Sequence, residues 1–224
     1  MLAHPPSRVP SVATAVAPLL VLLVGASSCA TPSAEQRAAA ERRFDVLLGM
    51  RLSSDALPDV PDYDDLDQAA AFGLEFAYQS ADDFVGFEVG FASALAQDEE
   101  LRQDPGGALY DLDLELFSTE LYGGAVKTFG IGEPFRPYIG LGLALVALEG
   151  EVSSAVLGGS DTQSDYSPAG YLHGGALFDV SPCLALGLDL RWLFGTQLEL
   201  DDLEVDGDYL QAAFVLVEAL AFPS

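Results

Sequence analysis

From Leu184 to Phe194 the chain reads Leu-Ala-Leu-Gly-Leu-Asp-Leu-Arg-Trp-Leu-Phe, a two-residue alternation of bulky apolar with mostly small or charged side chains. A period of two fits an extended strand, which sends successive side chains to opposite faces. Leu184, Leu186, Leu188, Leu190, Trp192 and Phe194 fall on one face, and Ala185, Gly187, Asp189, Arg191 and Gln197 on the other. Such alternation begins at Arg43 and recurs in eight segments: 43–53, 69–79, 84–95, 112–129, 136–150, 168–180, 184–199 and 208–222. The chain is therefore expected to be all-β.

Each segment sets a bulky apolar face against a small or charged one. In the first, Phe44, Val46, Leu48, Met50 and Leu52 oppose Arg43, Asp45, Leu47, Gly49 and Arg51. In the second, Phe72, Leu74, Phe76 and Tyr78 oppose Ala71, Gly73, Glu75 and Ala77; in the third, Val85, Phe87, Val89 and Phe91 oppose Gly86, Glu88, Gly90 and Ala92. The fifth sets Ile139, Leu141, Leu143 and Leu145 against Tyr138, Gly140, Gly142 and Ala144. The fourth loses its phase around Phe117–Glu120, which predicts a bulge there. Glu218 interrupts the bulky face of the last segment.

The connections alternate in length. Ser80–Asp83, Gly130–Phe135 and Ser181–Cys183 are short, whereas Ser54–Gln68, Ala96–Asp111, Glu151–Ser167 and Leu200–Gly207 are mostly longer. Alternate connections of an antiparallel up-and-down barrel lie at the same end, so one rim carries tight turns and the other long loops. An even strand count puts both termini on the tight-turn side. Short periplasmic turns and longer external loops are the pattern of outer-membrane barrels.

Eight strands enclose an interior just wide enough for side chains. The Gly- and Ala-rich face, with its isolated charges, fits that interior, and stripes of Leu and Phe pointing into lipid need no packing partner. The expected fold is thus an eight-stranded antiparallel up-and-down transmembrane β-barrel over residues 43–224.

The stretch Pro137–Gly150 (PYIGLGLALVALEG), following a short turn and a Tyr/Gly-rich strand, and a last strand ending at Phe222 resemble small outer-membrane β-barrel proteins of the OmpA/OmpX-like kind. The resemblance covers residues 43–222 and rests on pattern. It implies an integral place in the outer membrane of a Gram-negative bacterium, with no activity attached. It also implies that the terminal aromatic is read by the barrel-insertion machinery, although Pro223 and Ser224 follow it here.

The N-terminal residues 1–28 read as a signal peptide. Arg8 supplies the positive charge, and Val12–Val24 is an apolar run too short to span a bilayer as a helix. Gly25, Ala26, Ser27 and Ser28 then lead to Cys29. This resembles the lipobox of bacterial lipoproteins, with Ala26 where Leu is usual, and makes Cys29 a candidate for lipid attachment. Ordinary cleavage after Ala30 is the alternative. Residues 29–42 are small, polar and Ala-rich, and read as a periplasmic tether. With Cys29 lipidated or removed, Cys183 is left as filler in a turn.

A net charge of −26 beside a mean hydropathy of +0.28 means that acidic and apolar surfaces are segregated. With 9 Lys and Arg in 224 residues, nucleic acid is excluded as a partner. Outer-membrane lipid and lipopolysaccharide are the expected surroundings, the latter linked to acidic loops through divalent cations. What the external loops bind is not written in the sequence.

The charges on the small faces must pair if they are buried. Asp45, Arg51, Glu75, Glu88, Glu120, Asp189 and Arg191 are expected to form an interior salt-bridge network, with His173 as a further candidate. Acidic loops offer another site: Asp201, Asp202, Asp206 and Asp208 form a candidate weak Ca²⁺ site around a Gly turn, without EF-hand spacing. Otherwise no cofactor and no catalytic set are expected, since Ser118 and Ser167 lack a nucleophile-elbow context and His173 is the one histidine after the signal. The leading expectation is a structural or surface-interacting barrel with a filled lumen, not a general porin. The alternatives are a lipid-A-modifying enzyme, a hydrophobic-ligand-binding or transport barrel (Val146, Leu148, Val215 and Val217 make part of the interior apolar), and a soluble lipocalin-like carrier.

Overall fold

The computed structural model describes residues 39–53, 68–103, 109–154, 159–200, 203–205 and 207–219. The signal segment, Cys29 and most of the tether lie outside these residues, as do Asp201, Asp202 and Asp206.

Eight antiparallel strands close into a barrel: β1 (Ala40–Ser53), β2 (Gln68–Ser80), β3 (Gly86–Gln103), β4 (Leu109–Thr128), β5 (Phe135–Ser154), β6 (Gly159–Ser181), β7 (Leu184–Phe194) and β10 (Tyr209–Ala219). A small hairpin of β8 (Leu198–Leu200) and β9 (Leu203–Val205) sits in the connection from β7 to β10. Each barrel strand pairs with its neighbour in the chain, and β1 pairs with β10 to close the sheet, from Arg43 opposite Ala219 to Ser53 opposite Tyr209. No barrel strand is left with an unpaired edge.

Bulky apolar side chains point out and small or charged ones point in. Leu143 and Phe214 are 75% and 73% exposed, whereas Glu120 and Arg191 are 0% and 1% exposed. This is the inverse of a soluble barrel, in which the bulky face fills the core. The interior instead alternates large side chains with glycine from the strand beside them. Gly175 of β6 lies under Tyr138 of β5, where an added Cβ would meet the Leu188 carbonyl oxygen and come within 2.6 Å of Tyr138 Oη. Gly175→Ala is therefore expected to destabilise the barrel by about 1–3 kcal/mol, the usual cost of overpacking. Urea unfolding in detergent, followed by the fluorescence of the single Trp192, measures it.

Three expectations need correction. The register of β4 against β3 and β5 is continuous through Phe117–Glu120, so no bulge occurs there; the register shift lies between Asp179 and Ser181, where β6 meets β7. The segments Ala96–Asp111 and Glu151–Ser167 are mostly ladder rather than loop, because β3–β4 and β5–β6 continue as long hairpins. Finally, β7 stops at Phe194 because Gly195 takes a φ of +80°, outside the extended range. The tight-turn rim matches the expectation: Gly130 and Gly132, at φ of 66° and 87°, form the β4–β5 turn, and Glu133 N donates to Gly130 O at 2.8 Å. Cys183 lies in the β6–β7 turn, its Sγ 3.8 Å from Ser181 Oγ.

Candidate functional site

Odd-numbered positions of β1, β2, β6, β7 and β10 face the interior, as do even-numbered positions of β3, β4 and β5. That parity brings all seven residues expected in the interior network inside the barrel, each at 6% exposure or less. They do not form one undivided cluster.

The central group joins β1, β2, β4 and β7. Arg43 contributes Nε to Asp45 Oδ2 at 2.7 Å and Nη2 to Glu75 Oε1 at 3.5 Å. Arg191 donates from Nη2 to Glu75 Oε2 at 3.1 Å, so guanidinium groups from β1 and β7 converge on one carboxylate. Tyr122 Oη donates to the same oxygen at 3.1 Å. The guanidinium of Arg191 lies 3.9 Å from the centre of the Tyr122 ring, and that of Arg43 lies 4.5 Å from the Tyr138 ring. Stacking on aromatic faces suits a guanidinium that must leave water.

Against this group stands His173 of β6. Its Nδ1 is 2.9 Å from Asp189 Oδ2 and its Nε2 is 3.0 Å from the Glu88 carboxylate. Tyr138 Oη donates to Asp189 Oδ2 at 2.8 Å, and Tyr171 Oη donates to Glu88 Oε1 at 2.7 Å. Donor atoms of Glu75, Glu88 and His173 lie within 4.8 Å of one another.

Arg51 forms a separate group. Its Nη2 is 2.7 Å from Glu120 Oε1, its Nη1 donates to Ser118 Oγ at 2.6 Å, and its guanidinium lies 3.8 Å from the Tyr209 ring. Tyr209 Oη donates to Glu120 Oε2 at 2.6 Å. At the tight-turn end, Arg136 bridges Glu41 at 3.2 Å and Asp179 at 2.7 Å, tying β5 to β1 and β6.

Sequence reasoning missed Arg43 and the four interior tyrosines as members of these groups. Parity already placed Arg43 on the small face beside Asp45. The tyrosines gave no such signal, because a bulky ring on the small face is accommodated by glycine on the neighbouring strand, and that pairing appears only with the register. The apolar interior positions Val146, Val215 and Val217 are buried in two packed clusters with Tyr122, Tyr138, Tyr171 and Leu177. Of the candidate Ca²⁺ ligands, Asp208 is the one described residue, and its Oδ1 accepts from Thr196 N at 2.9 Å and Thr196 Oγ1 at 2.7 Å. Ser118 accepts from Arg51, and Ser167 Oγ accepts from Gln197 N at 2.9 Å; both His173 nitrogens face carboxylates rather than a hydroxyl.

On the outer wall, ionisable residues stand only near the ends of the strands. Arg42, Lys127 and Glu218 lie toward the tight turns, with Arg42 5.6 Å from the Tyr78 ring and Lys127 5.4 Å from the Phe84 ring. Glu115 and Glu149 lie toward the long hairpins. Among the described residues the outward positions between these ends carry no ionisable side chain. Phe84, Phe129, Phe135 and Phe178 gather at the tight-turn edge, and Trp192 and Phe194 mark the opposite edge of β7.

No family model matches the chain, and no curated protein does. Among solved structures, Neisserial surface protein A is 14% identical, with 81% of this chain and 97% of that one covered and a TM-score of 0.44. Ail, the attachment invasion locus protein of Yersinia pestis, is 16% identical over 81% of this chain and 97% of its own, with a TM-score of 0.45. The outer membrane protein OprG of Pseudomonas aeruginosa is 15% identical over 81% and 95%, with a TM-score of 0.46. The chain is thus similar to small bacterial outer-membrane barrels, at identities that carry no residue's role across.

Proposed function

We propose that this chain is an integral protein of the bacterial outer membrane, with a structural or surface-interacting role and a lumen closed to general diffusion. The observation that carries the proposal is the outer wall: a continuous apolar band, free of ionisable side chains between the strand ends, with aromatic residues toward its edges. Spanning strands need about 9–11 residues, and outer-membrane barrels carry an outward apolar band flanked by aromatic girdles. A closed ladder also leaves no backbone donor or acceptor facing hydrocarbon. Water would leave Leu143, Leu188 and Phe214 without any compensating partner.

Both termini then lie in the periplasm with the tight turns, and the acidic hairpins face outside, next to lipopolysaccharide. Insertion falls to the barrel-insertion machinery. The closed lumen is supported by Arg43, Arg191, Tyr171, Leu177 and Leu193, all fully buried across its section. A non-enzymatic role is supported by His173, whose two nitrogens are engaged by Glu88 and Asp189.

Trp192, the one tryptophan, provides the test because it is 52% exposed on the band. After reconstitution, lipids brominated along the acyl chain are expected to quench its fluorescence strongly, while water-soluble iodide leaves it unaffected. In cells the protein is expected to stay in the membrane pellet through a carbonate wash. Release by carbonate or high salt without detergent, or quenching by iodide alone, overturns the proposal.

A further inference from the structure

The buried charges of this barrel do not balance. Six buried carboxylates (Glu41, Asp45, Glu75, Glu88, Glu120 and Asp189) face four buried guanidinium groups, those of Arg43, Arg51, Arg136 and Arg191. Two negative charges are left over among the described residues. Uncompensated charge in a dry interior is strongly unfavourable, so something positive belongs there. A proton on His173 supplies one charge; a divalent cation supplies two.

The geometry around His173 says where such an ion fits. Nε2 of His173 faces the Glu88 carboxylate at 3.0 Å, and Glu75 places a further donor so that all three donor atoms lie within 4.8 Å of one another. Oxygen and nitrogen ligands of a first-row metal sit about 2.0–2.2 Å from it, hence about 3.4 Å apart at tetrahedral angles, so Nε2 and Glu88 are already near that spacing at 3.0 Å while a pair as far apart as 4.8 Å must close by more than an ångström. On the far side of the ring, Nδ1 lies 2.9 Å from Asp189 Oδ2, the carboxylate–histidine pairing that orients a metal-binding imidazole, and aims Nε2 at the Glu88 carboxylate. Tyr138 holds Asp189, Tyr171 holds Glu88 and Tyr122 holds Glu75, so each carboxylate is oriented by a phenol. Asp189 Oδ1 is buried without a hydrogen-bond partner. The wall opposite Nε2 is Gly140, where any Cβ would collide with that nitrogen and lie 2.8 Å from Glu88 Oε1.

We propose that Glu75, Glu88 and His173 form a binding site for one divalent first-row transition-metal ion inside the barrel, with Asp189 orienting the histidine. One imidazole with two carboxylates and no thiolate suits Mn²⁺, Fe²⁺, Co²⁺ or Zn²⁺, and the imidazole sets it apart from the all-oxygen sites that Ca²⁺ and Mg²⁺ prefer. This is distinct from the acidic loops, whose carboxylates offer oxygen alone.

The chain has two histidines, His4 and His173, so a His4→Ala background leaves His173 as the single imidazole. The full chain, untagged, is refolded in detergent with Co²⁺ and an excess of Ca²⁺ to occupy the loops, then passed through gel filtration. The expected result is one cobalt per chain and, in the proton spectrum, a single strongly shifted resonance from an exchangeable imidazole N–H. His173→Gln is expected to lower the retained cobalt at least tenfold while keeping the folded, heat-modifiable band on gels. Absence of retained cobalt, meaning that an imidazolium alone occupies the position, overturns the proposal, as does retention unchanged in His173→Gln. Where His173→Gln fails to fold, the shifted N–H of the His4→Ala protein decides, and its absence overturns the site.

Discussion

Replacing Arg191 by leucine is expected to lower the stability of the folded barrel by about 3–5 kcal/mol, the range for removing one partner of a buried ion pair. Thermal melting in detergent, with folded and unfolded forms separated on gels, measures it. The size follows from what the guanidinium touches. It holds the second oxygen of Glu75 at 3.1 Å, and it stacks on Tyr122 and, at 5.2 Å, on Tyr171. Leucine leaves Glu75 with the Tyr122 hydroxyl at 3.1 Å and, as its one remaining cation, Arg43 at 3.5 Å. The double change Arg191→Leu with Glu75→Gln removes both members of the pair and is expected to recover part of the loss. A melting midpoint unchanged in Arg191→Leu would show that the network is incidental to stability.

The second large effect lies on the other face of the same strand. Leu188 is 58% exposed, midway along β7, between Ala176 of β6 and Phe214 of β10. In a water-soluble protein, arginine at so open a position changes stability within about 0.5 kcal/mol. In the middle of a bilayer it costs about 2–4 kcal/mol. Leu188→Arg is therefore expected to fold poorly into lipid vesicles, with a drop of that size in equilibrium unfolding. The same change at Phe135, on the tight-turn edge, is expected to cost about 0–1 kcal/mol. Equal, small effects at the two depths would argue for a barrel standing in water.

Strand phase was the most legible property of this sequence, and the reason is chemical. When one face meets lipid and the other a crowded interior, size as well as polarity alternates, and β7 carries one signal or the other from Leu184 to Trp192. The fourth segment misled because that size contrast fails locally. At Phe117–Glu120 the outward side carries Phe117 and the polar Thr119 while Ser118 and Glu120 point inward, so the phase slips to the eye although the register does not. The long hairpins were hidden for a different cause. Acidic residues at Asp98–Glu100 and Asp111 read as loop, yet the ladder continues through them from β3 into β4.

Within the candidate site, residues that announce themselves by charge were placed inside by parity alone. Their partners were not assignable, since Glu75 meets Arg191 from a strand that is far away in the chain. His173 lay on a Gly-rich strand whose glycines looked like weak strand signals. Gly140 and Gly175, on β5 and β6, turn out to be the room in which His173 and Tyr138 sit.

The closing seam between β1 and β10 also has a meaning in time. Seven of the eight pairings join strands that follow one another around the sheet and can zip up as hairpins soon after their turns form. The eighth must bring Arg43 to Ala219, across nearly the whole barrel sequence, and non-local contacts of this kind slow folding because the entropy of closing the loop is lost before any contact compensates. Until that seam shuts, Arg43, Glu75 and Arg191 line an open, wet sheet, and their charges cost nothing to hydrate. Closure strips the water from all of them in one event. A half-assembled sheet therefore has little to gain from partial desolvation, and the last strand, made last, decides whether the barrel forms at all.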